Sequence, residues 1–336
     1  MPTINVAILG YGTVGKGVYQ TINTHQEKFL TSLGANVRVV AVLVKNINRH
    51  SFNDENVLFT SDMDEILRLE HLDVVIEAIV GQEPSFTYLK KSISRGCHII
   101  TANKEMFAYH CSDLFELAEQ KGVSIGFEAT VAGGIPIIQT LNKLFNINSI
   151  SRIEAILNGT SNFILSQMRD ADLSFNDALK LAQEKGYAEL DPTNDIEGYD
   201  AFYKAMILSQ VCFGAQPEWN SVKRDGISHI TTEVVKNYTN KRLRTKHIAT
   251  ISNTSSGIKV SIEPVTVGEH HPFYNIEGVQ NAVAIEGDVV GTITLSGPGA
   301  GMYATASAIV EDLVHVLLSK KANAINTIKR NDQLSV

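Results

Sequence analysis

Cysteine is scarce in this 336-residue chain, which has only Cys97, Cys111 and Cys212. The odd number, the wide spacing and the absence of a Cys-x-x-Cys pair argue against a disulfide framework and a cysteine zinc site, and favour a reducing, cytoplasmic setting. Long apolar runs are missing too. No segment approaches the roughly 18 residues that suggest a membrane span, and Met1-Pro2-Thr3 leads directly into a strand-like run without the basic region of a secretory signal. Positive charge is in deficit, with 29 Lys and Arg against 36 Asp and Glu, a net charge of -7 and a pI near 5.8. That balance, with no basic stretch, leaves no footprint for nucleic acid. No membrane partner is expected either. What remains is ordinary globular material, 44% hydrophobic and 19% charged, long enough for two domains.

The chain begins with a short apolar strand at 4–9, followed by Gly10-Tyr-Gly12-Thr13-Val14-Gly15. In a dinucleotide-binding turn the first glycine permits the tight bend, the second admits a pyrophosphate and the third lets the next helix pack on its strand. The alternation continues with a strand at 37–44, a short strand near 57–59, a helix at 62–67 and an almost wholly apolar strand at 72–80. A helix to Arg95 and strands at 98–101 and 124–128 complete a Rossmann-type doubly wound parallel sheet. Its substrate and cofactor face lies outside the carboxyl ends of the strands. Lys104 stands there, as a site lysine or as a surface lysine opening the next helix. At the end of the second strand, where NAD-specific sites place a carboxylate, the chain has Lys45 and Arg49. These suit a ribose 2′-phosphate and hence NADP, with NAD possible; the alternative is a solvated basic loop. Glu128 and the glycine loop after it offer one carboxylate and several carbonyls, a set for a hard cation or simply a turn with a buried Glu.

Beyond residue 149 the pattern changes. A half-buried strand at 150–157, an Asn158-led turn into a helix, an amphipathic helix at 174–185 and strands at 258–265, 279–286 and 291–295 read as an α+β domain with a mainly antiparallel sheet. The resulting division is 1–134, completed by a C-terminal helix at 302–320, then 135–301, then a polar tail at 321–336. Between Glu184 and Lys204 a tight loop carrying Glu189, Asp191 and Asp195 runs into a helix too apolar to sit in water. Asn194-Asp-Ile-Glu197 forms a capping box for that helix. Asp200 and Lys204, four residues apart, share one helix face. They serve as an acid–base pair beside a polar substrate or as a plain intrahelical ion pair.

Taken together, Gly10–Gly15, Thr101-Ala-Asn-Lys-Glu105, Glu128–Pro136, Asn158-Gly-Thr-Ser-Asn162, Gly186-Tyr-Ala-Glu-Leu-Asp-Pro192 with Asp195, Gly198, Asp200 and Lys204, and Gly297-Pro-Gly-Ala-Gly301 resemble the homoserine dehydrogenases nearly end to end. The form it resembles is the short one, which lacks a C-terminal ACT domain. The resemblance implies reversible NAD(P)H-dependent reduction of L-aspartate 4-semialdehyde to L-homoserine, in threonine and methionine biosynthesis, by a homodimer. It implies Lys204 as the proton donor and acceptor, Asp200 as its orienting partner, Glu189 and Asp195 on the substrate, and Lys104 on substrate and nicotinamide. Gly186 and Gly301 fall on the cofactor side. A sodium-type monovalent cation is implied at Glu128 with the carbonyls of Val131, Gly133 and Ile135. Two rivals stand beside this reading. A phosphorylating semialdehyde dehydrogenase needs a cysteine nucleophile, and a nucleotide-sensing binding protein needs no chemistry at Lys204.

Overall fold

The computed structural model describes residues 1–333, with side chains through residue 318. The chain divides into two compact units, one formed by 1–130 with 302–336 and the other by 131–301.

The first unit is built on β1 (Thr3–Leu9), α1 (Thr13–Thr24), α2 (Gln26–Leu33), β2 (Asn36–Leu43), β3 (Leu58–Thr60), α3 (Met63–Leu67), β4 (Val74–Glu77), α4 (Ser85–Arg95), β5 (His98–Thr101), α5 (Lys104–Lys121) and β6 (Ile125–Gly126). All six strands are parallel, in the order β3-β2-β1-β4-β5-β6. This is the dinucleotide-binding order, with the reversal between β1 and β4. Val6 to Leu9 and Val74 to Ile76 have no exposed surface, because helices cover both faces of a parallel sheet and alternation is lost. The C-terminal helix, Met302–Gln333, belongs to this unit. Its first turns lie against α1, where a side chain at Gly17 would collide with Met302, and the Asp312 carboxylate accepts from the Glu128 N–H at 2.8 Å.

The second unit holds α6 (Ile137–Leu144), β7 (Ile150–Ile156), α7 (Gly159–Asp170), α8 (Phe175–Glu184), α9 (Thr193–Ile196), α10 (Tyr199–Phe213), β8 (Lys223–Arg224), α11 (Thr232–Thr239), β9 (Arg244–Thr254), β10 (Gly257–Val267), β11 (Gln280–Gly287) and β12 (Gly291–Pro298). Its sheet runs β12-β11-β7-β9-β10-β8 and is antiparallel apart from the short β10–β8 pairing. α10 packs on β9 and β10 and buries Phe202 and Ala205 to Leu208.

Four features depart from the sequence reading. β9 and β8 are absent from it, because β9 carries a polar series whose Lys246 and His247 are nonetheless buried. The fourth strand of the first unit is only Val74–Glu77, since Gly81 at φ +90° turns the chain away. α10 begins at Gly198 without a side-chain cap, so the Asn194–Glu197 capping box is not formed; those residues are used up by the short helix α9. The C-terminal helix, α12, continues through Gln333, where a tail had been expected from 321, and residues 334–336 lie outside the described residues.

Candidate active site

In the first unit the glycine turn divides its labour. Gly10 holds φ +97°, and a Cβ there would lie 2.5 Å from the Ala78 carbonyl oxygen; a Cβ on Gly15 would lie 1.9 Å from the Gly10 carbonyl oxygen. Those two glycines are demanded by the protein's own backbone. Gly12 is different, for among the described residues nothing beyond its chain neighbours lies within 4 Å of its would-be Cβ. It also caps α1 with no side-chain hydrogen bond, and the first-turn N–H groups of a helix left uncapped in this way suit an anionic pyrophosphate. Thr13 and Val14 form the first turn of the same helix. Lys45 and Arg49 follow β2 and are exposed, and among the described residues neither side chain is tied into an ion pair.

Around the end of β5 a buried carboxylate fixes the backbone. Glu77, with no exposed surface, accepts from the Ile79 N–H at 2.6 Å, the Ser85 hydroxyl at 3.1 Å and the Thr101 hydroxyl at 2.6 Å. Burial pushes its pKa up to about 7 against the pull of those donors. Asn103 then donates to the Gly81 carbonyl at 2.7 Å and caps α5 through the Met106 N–H at 3.0 Å. Lys104, half-buried, is the first residue of that helix.

The second unit contains a chain of buried polar groups. Lys204 Nζ donates to Asp200 Oδ2 at 2.7 Å and to the Leu157 carbonyl at 2.6 Å. Both side chains are at most one-tenth exposed. The Asn158 amide donates to the same Asp200 oxygen at 2.9 Å and to Asp195 Oδ1 at 2.7 Å, while its carbonyl caps α7 through the Ser161 N–H at 2.7 Å. One strand end thus gathers three expected residues: Asp195, Asp200 and Lys204. The geometry is chemically specific. A buried ammonium with one carboxylate and one carbonyl as acceptors is held in place to give or take a proton.

Other expected residues lie elsewhere. Glu189 and Gly186 are on the exposed loop between α8 and α9, and the Glu189 carboxylate has no hydrogen-bond or ion-pair partner among the described residues. Asp191 serves the local turn, accepting from the Thr193 N–H at 3.1 Å and hydroxyl at 2.6 Å; the Thr193 hydrogen bonds hold its pKa below the usual range. Glu128, Val131, Gly133 and Ile135 are buried, and the Ile135 carbonyl accepts from the Ile137 N–H at 2.8 Å. No group of three His, Cys, Asp or Glu side chains able to hold a metal occurs among the described residues. Gly301 precedes α12 at φ +114°. Asn158 is the residue of this hydrogen-bonded group that sequence reasoning passed over as a site residue. Its signal was an asparagine at a strand's end that also caps a helix, but its bonds to Asp195 and Asp200 span 37 and 42 residues.

Burial raises the pKa of all three cysteines, Cys212 to about 12. None is activated as a nucleophile. A dinucleotide turn in one unit and a buried lysine–carboxylate pair in the other define an NAD(P)-dependent oxidoreductase. The homoserine dehydrogenase family model matches residues 136–314, and the model of that family's NAD binding domain matches residues 10–128. The chain belongs to the homoserine dehydrogenase family. A homoserine dehydrogenase of Bacillus subtilis is 38% identical over 94% of this chain and 73% of its own length. The crystal structure of a homoserine dehydrogenase from Thiobacillus denitrificans is 39% identical, with a TM-score of 0.91 over 95% of this chain and 74% of that one. A hyperthermophilic archaeal homoserine dehydrogenase in complex with NADPH is 27% identical, with a TM-score of 0.81 over 94% of this chain and 98% of that one. Among the described residues no helix is long and apolar enough to cross a membrane.

Proposed function

We propose that Lys204 moves the proton in the reversible reduction of L-aspartate 4-semialdehyde to L-homoserine, within threonine and methionine biosynthesis. The observation that carries this reading is the buried Lys204 ammonium on Asp200 and the Leu157 carbonyl. Hydride arrival at an aldehyde carbon builds negative charge on its oxygen, and a positioned ammonium both stabilises that charge and supplies the proton. A nicotinamide cofactor held at the Gly10–Gly15 turn would supply the hydride in this direction and accept it in the other. In reduction Lys204 gives Nζ–H to the oxygen and becomes neutral; in oxidation neutral Lys204 takes the hydroxyl proton. Asp200 keeps the amine aimed through its hydrogen bond to Nζ. Asp195, with Glu189 on its loop, binds the substrate's ammonium group, and Lys104 contacts substrate and nicotinamide and shares in the proton transfer.

The cofactor preferred is NADP, with Gly10, Gly12, Thr13, Val14 and Gly15 on the pyrophosphate, Gly186 and Gly301 further along it, and Lys45 and Arg49 on the 2′-phosphate. The resemblance further assigns a sodium-type cation to Glu128 and the Val131, Gly133 and Ile135 carbonyls. Those oxygens suit a hard ion of low charge, and no step of the reaction runs through it. The assembly is a homodimer in the cytoplasm, joined through the antiparallel sheet; light scattering should then give twice the 36.8 kDa of one chain, and a single-chain mass would reject the dimer. A spectrophotometric assay with L-homoserine and each nicotinamide cofactor tests the activity. Lys45→Ala combined with Arg49→Ala should raise KM for NADP on the order of 10-fold or more with little change for NAD, and an equal change for both would reject the 2′-phosphate assignment.

A further inference from the structure

We infer that Asn281 is a positioning residue for Lys204, acting through the Leu157 carbonyl that both side chains share. The inference rests on the proton-transfer reading of Lys204. β11 pairs with β7 from Ala282 opposite Ile156, which sets Asn281 beside Leu157, the residue just after β7. There the Asn281 amide nitrogen donates to the Leu157 carbonyl at 3.0 Å, and Lys204 Nζ donates to the same oxygen at 2.6 Å. Both lone pairs of that carbonyl are engaged. An ammonium held by one carboxylate and one carbonyl is fixed only as firmly as those two acceptors. Asp200 is steadied by Asn158, and Asn281 does the equivalent service for Leu157.

The other half of the amide shows what the position is kept for. Asn281 is 1% exposed, and its Oδ1 is buried with no hydrogen-bond partner among the described residues. Leaving a buried acceptor unpaired is costly, and leucine of similar size would avoid that cost. The donor therefore outweighs the stranded acceptor at this site. The amide is also clamped from its other side: a Cβ at Gly299 would fall 2.0 Å from Asn281 Cγ. Glycine at 299 lets the loop after β12 lie flat on the amide and hold it toward Leu157.

The test uses Asn281→Ala, which removes the donor, and Gly299→Ala, which pushes the amide aside. Each is assayed for L-homoserine oxidation beside Lys204→Ala and the Lys204→Ala/Asn281→Ala double variant. In both single variants kcat should fall about 10- to 100-fold, as misplaced catalytic groups do, while the Kd for NADP stays within about 2-fold. The kinetic isotope effect with homoserine deuterated at its carbinol carbon should rise, because hydride transfer becomes limiting. A merely destabilised enzyme would lose active fraction without changing that isotope effect. The double variant should be no slower than Lys204→Ala, since Asn281 has no other route to the reaction. Wild-type kcat in either folded single variant, an unchanged isotope effect, or losses that multiply in the double variant would overturn the inference. Wild-type turnover in Lys204→Ala would overturn the proton-transfer reading as well, whereas an inactive Lys204→Ala beside wild-type Asn281→Ala removes this inference alone.

Discussion

Glu77 shows how a single side chain can serve the site without touching substrate. Its carboxylate ties the turn after β4 to the hydroxyl of Thr101, and Thr101 in turn accepts from the Asn103 N–H just before Lys104. Because burial raises its folded-state pKa from 4.5 to about 7, the folded protein binds this proton more tightly than the unfolded chain does. Its contribution to stability is then full below pH 4.5 and is lost as pH rises toward 7, by about 3 kcal/mol in total. Glu77→Gln cannot titrate. The difference in unfolding free energy between the variant and wild type should therefore move in the variant's favour by about that amount between pH 4.5 and pH 7. A difference independent of pH would contradict the assignment. The same lesson holds at Lys246, where burial lowers the pKa to about 8 although Glu277 lies 3.1 Å away. Both groups are invisible to a reading that sorts polar residues outward.

The turn between β1 and α1 separates fold from function at the scale of one element. Gly15→Ala would drive a methyl into the Gly10 carbonyl, so it should destabilise the first unit by about 1–3 kcal/mol and weaken cofactor binding with it. Gly12→Ala meets no atom of the described residues within 4 Å beyond its chain neighbours. It should leave the melting temperature close to wild type, within about 0.5 kcal/mol of stability, yet raise the Kd for NADP sharply if the proposed pyrophosphate contact lies there. Equal effects of the two substitutions on binding and stability would dissolve the distinction. α10 offers the opposite case. Its apolar run from Ala205 to Leu208 announced a buried helix, but its N-cap at Gly198 did not follow the capping signal in Asn194–Glu197, because the separate short helix α9 occupies those residues.

Across the molecule, the first unit was the more legible. Its strands are buried on both faces and its glycines stand at fixed spacing, so local sequence carries the topology; the expected strands near 57–59, at 98–101 and at 124–128 correspond to β3, β5 and β6. In the second unit β9 escaped because its buried charged and ring groups find their partners far along the chain, Lys246 in Glu277 and the Ile276 carbonyl, and His247 Nε2 in the Asp225 carbonyl. Asp200 and Lys204 were legible as a pair one turn apart. Asn158 and Asn281 were not, since the bonds that give them meaning cross 42 and 124 residues. The proposed chemistry turns in the end on one proton at Lys204. With NADP binding followed by calorimetry and homoserine oxidation by absorbance, Lys204→Ala should retain the cofactor affinity of the wild type while kcat drops about 10²–10⁴-fold, the range general acid–base catalysis commands. A Lys204→Ala enzyme that binds NADP and turns over at the wild-type rate would contradict it.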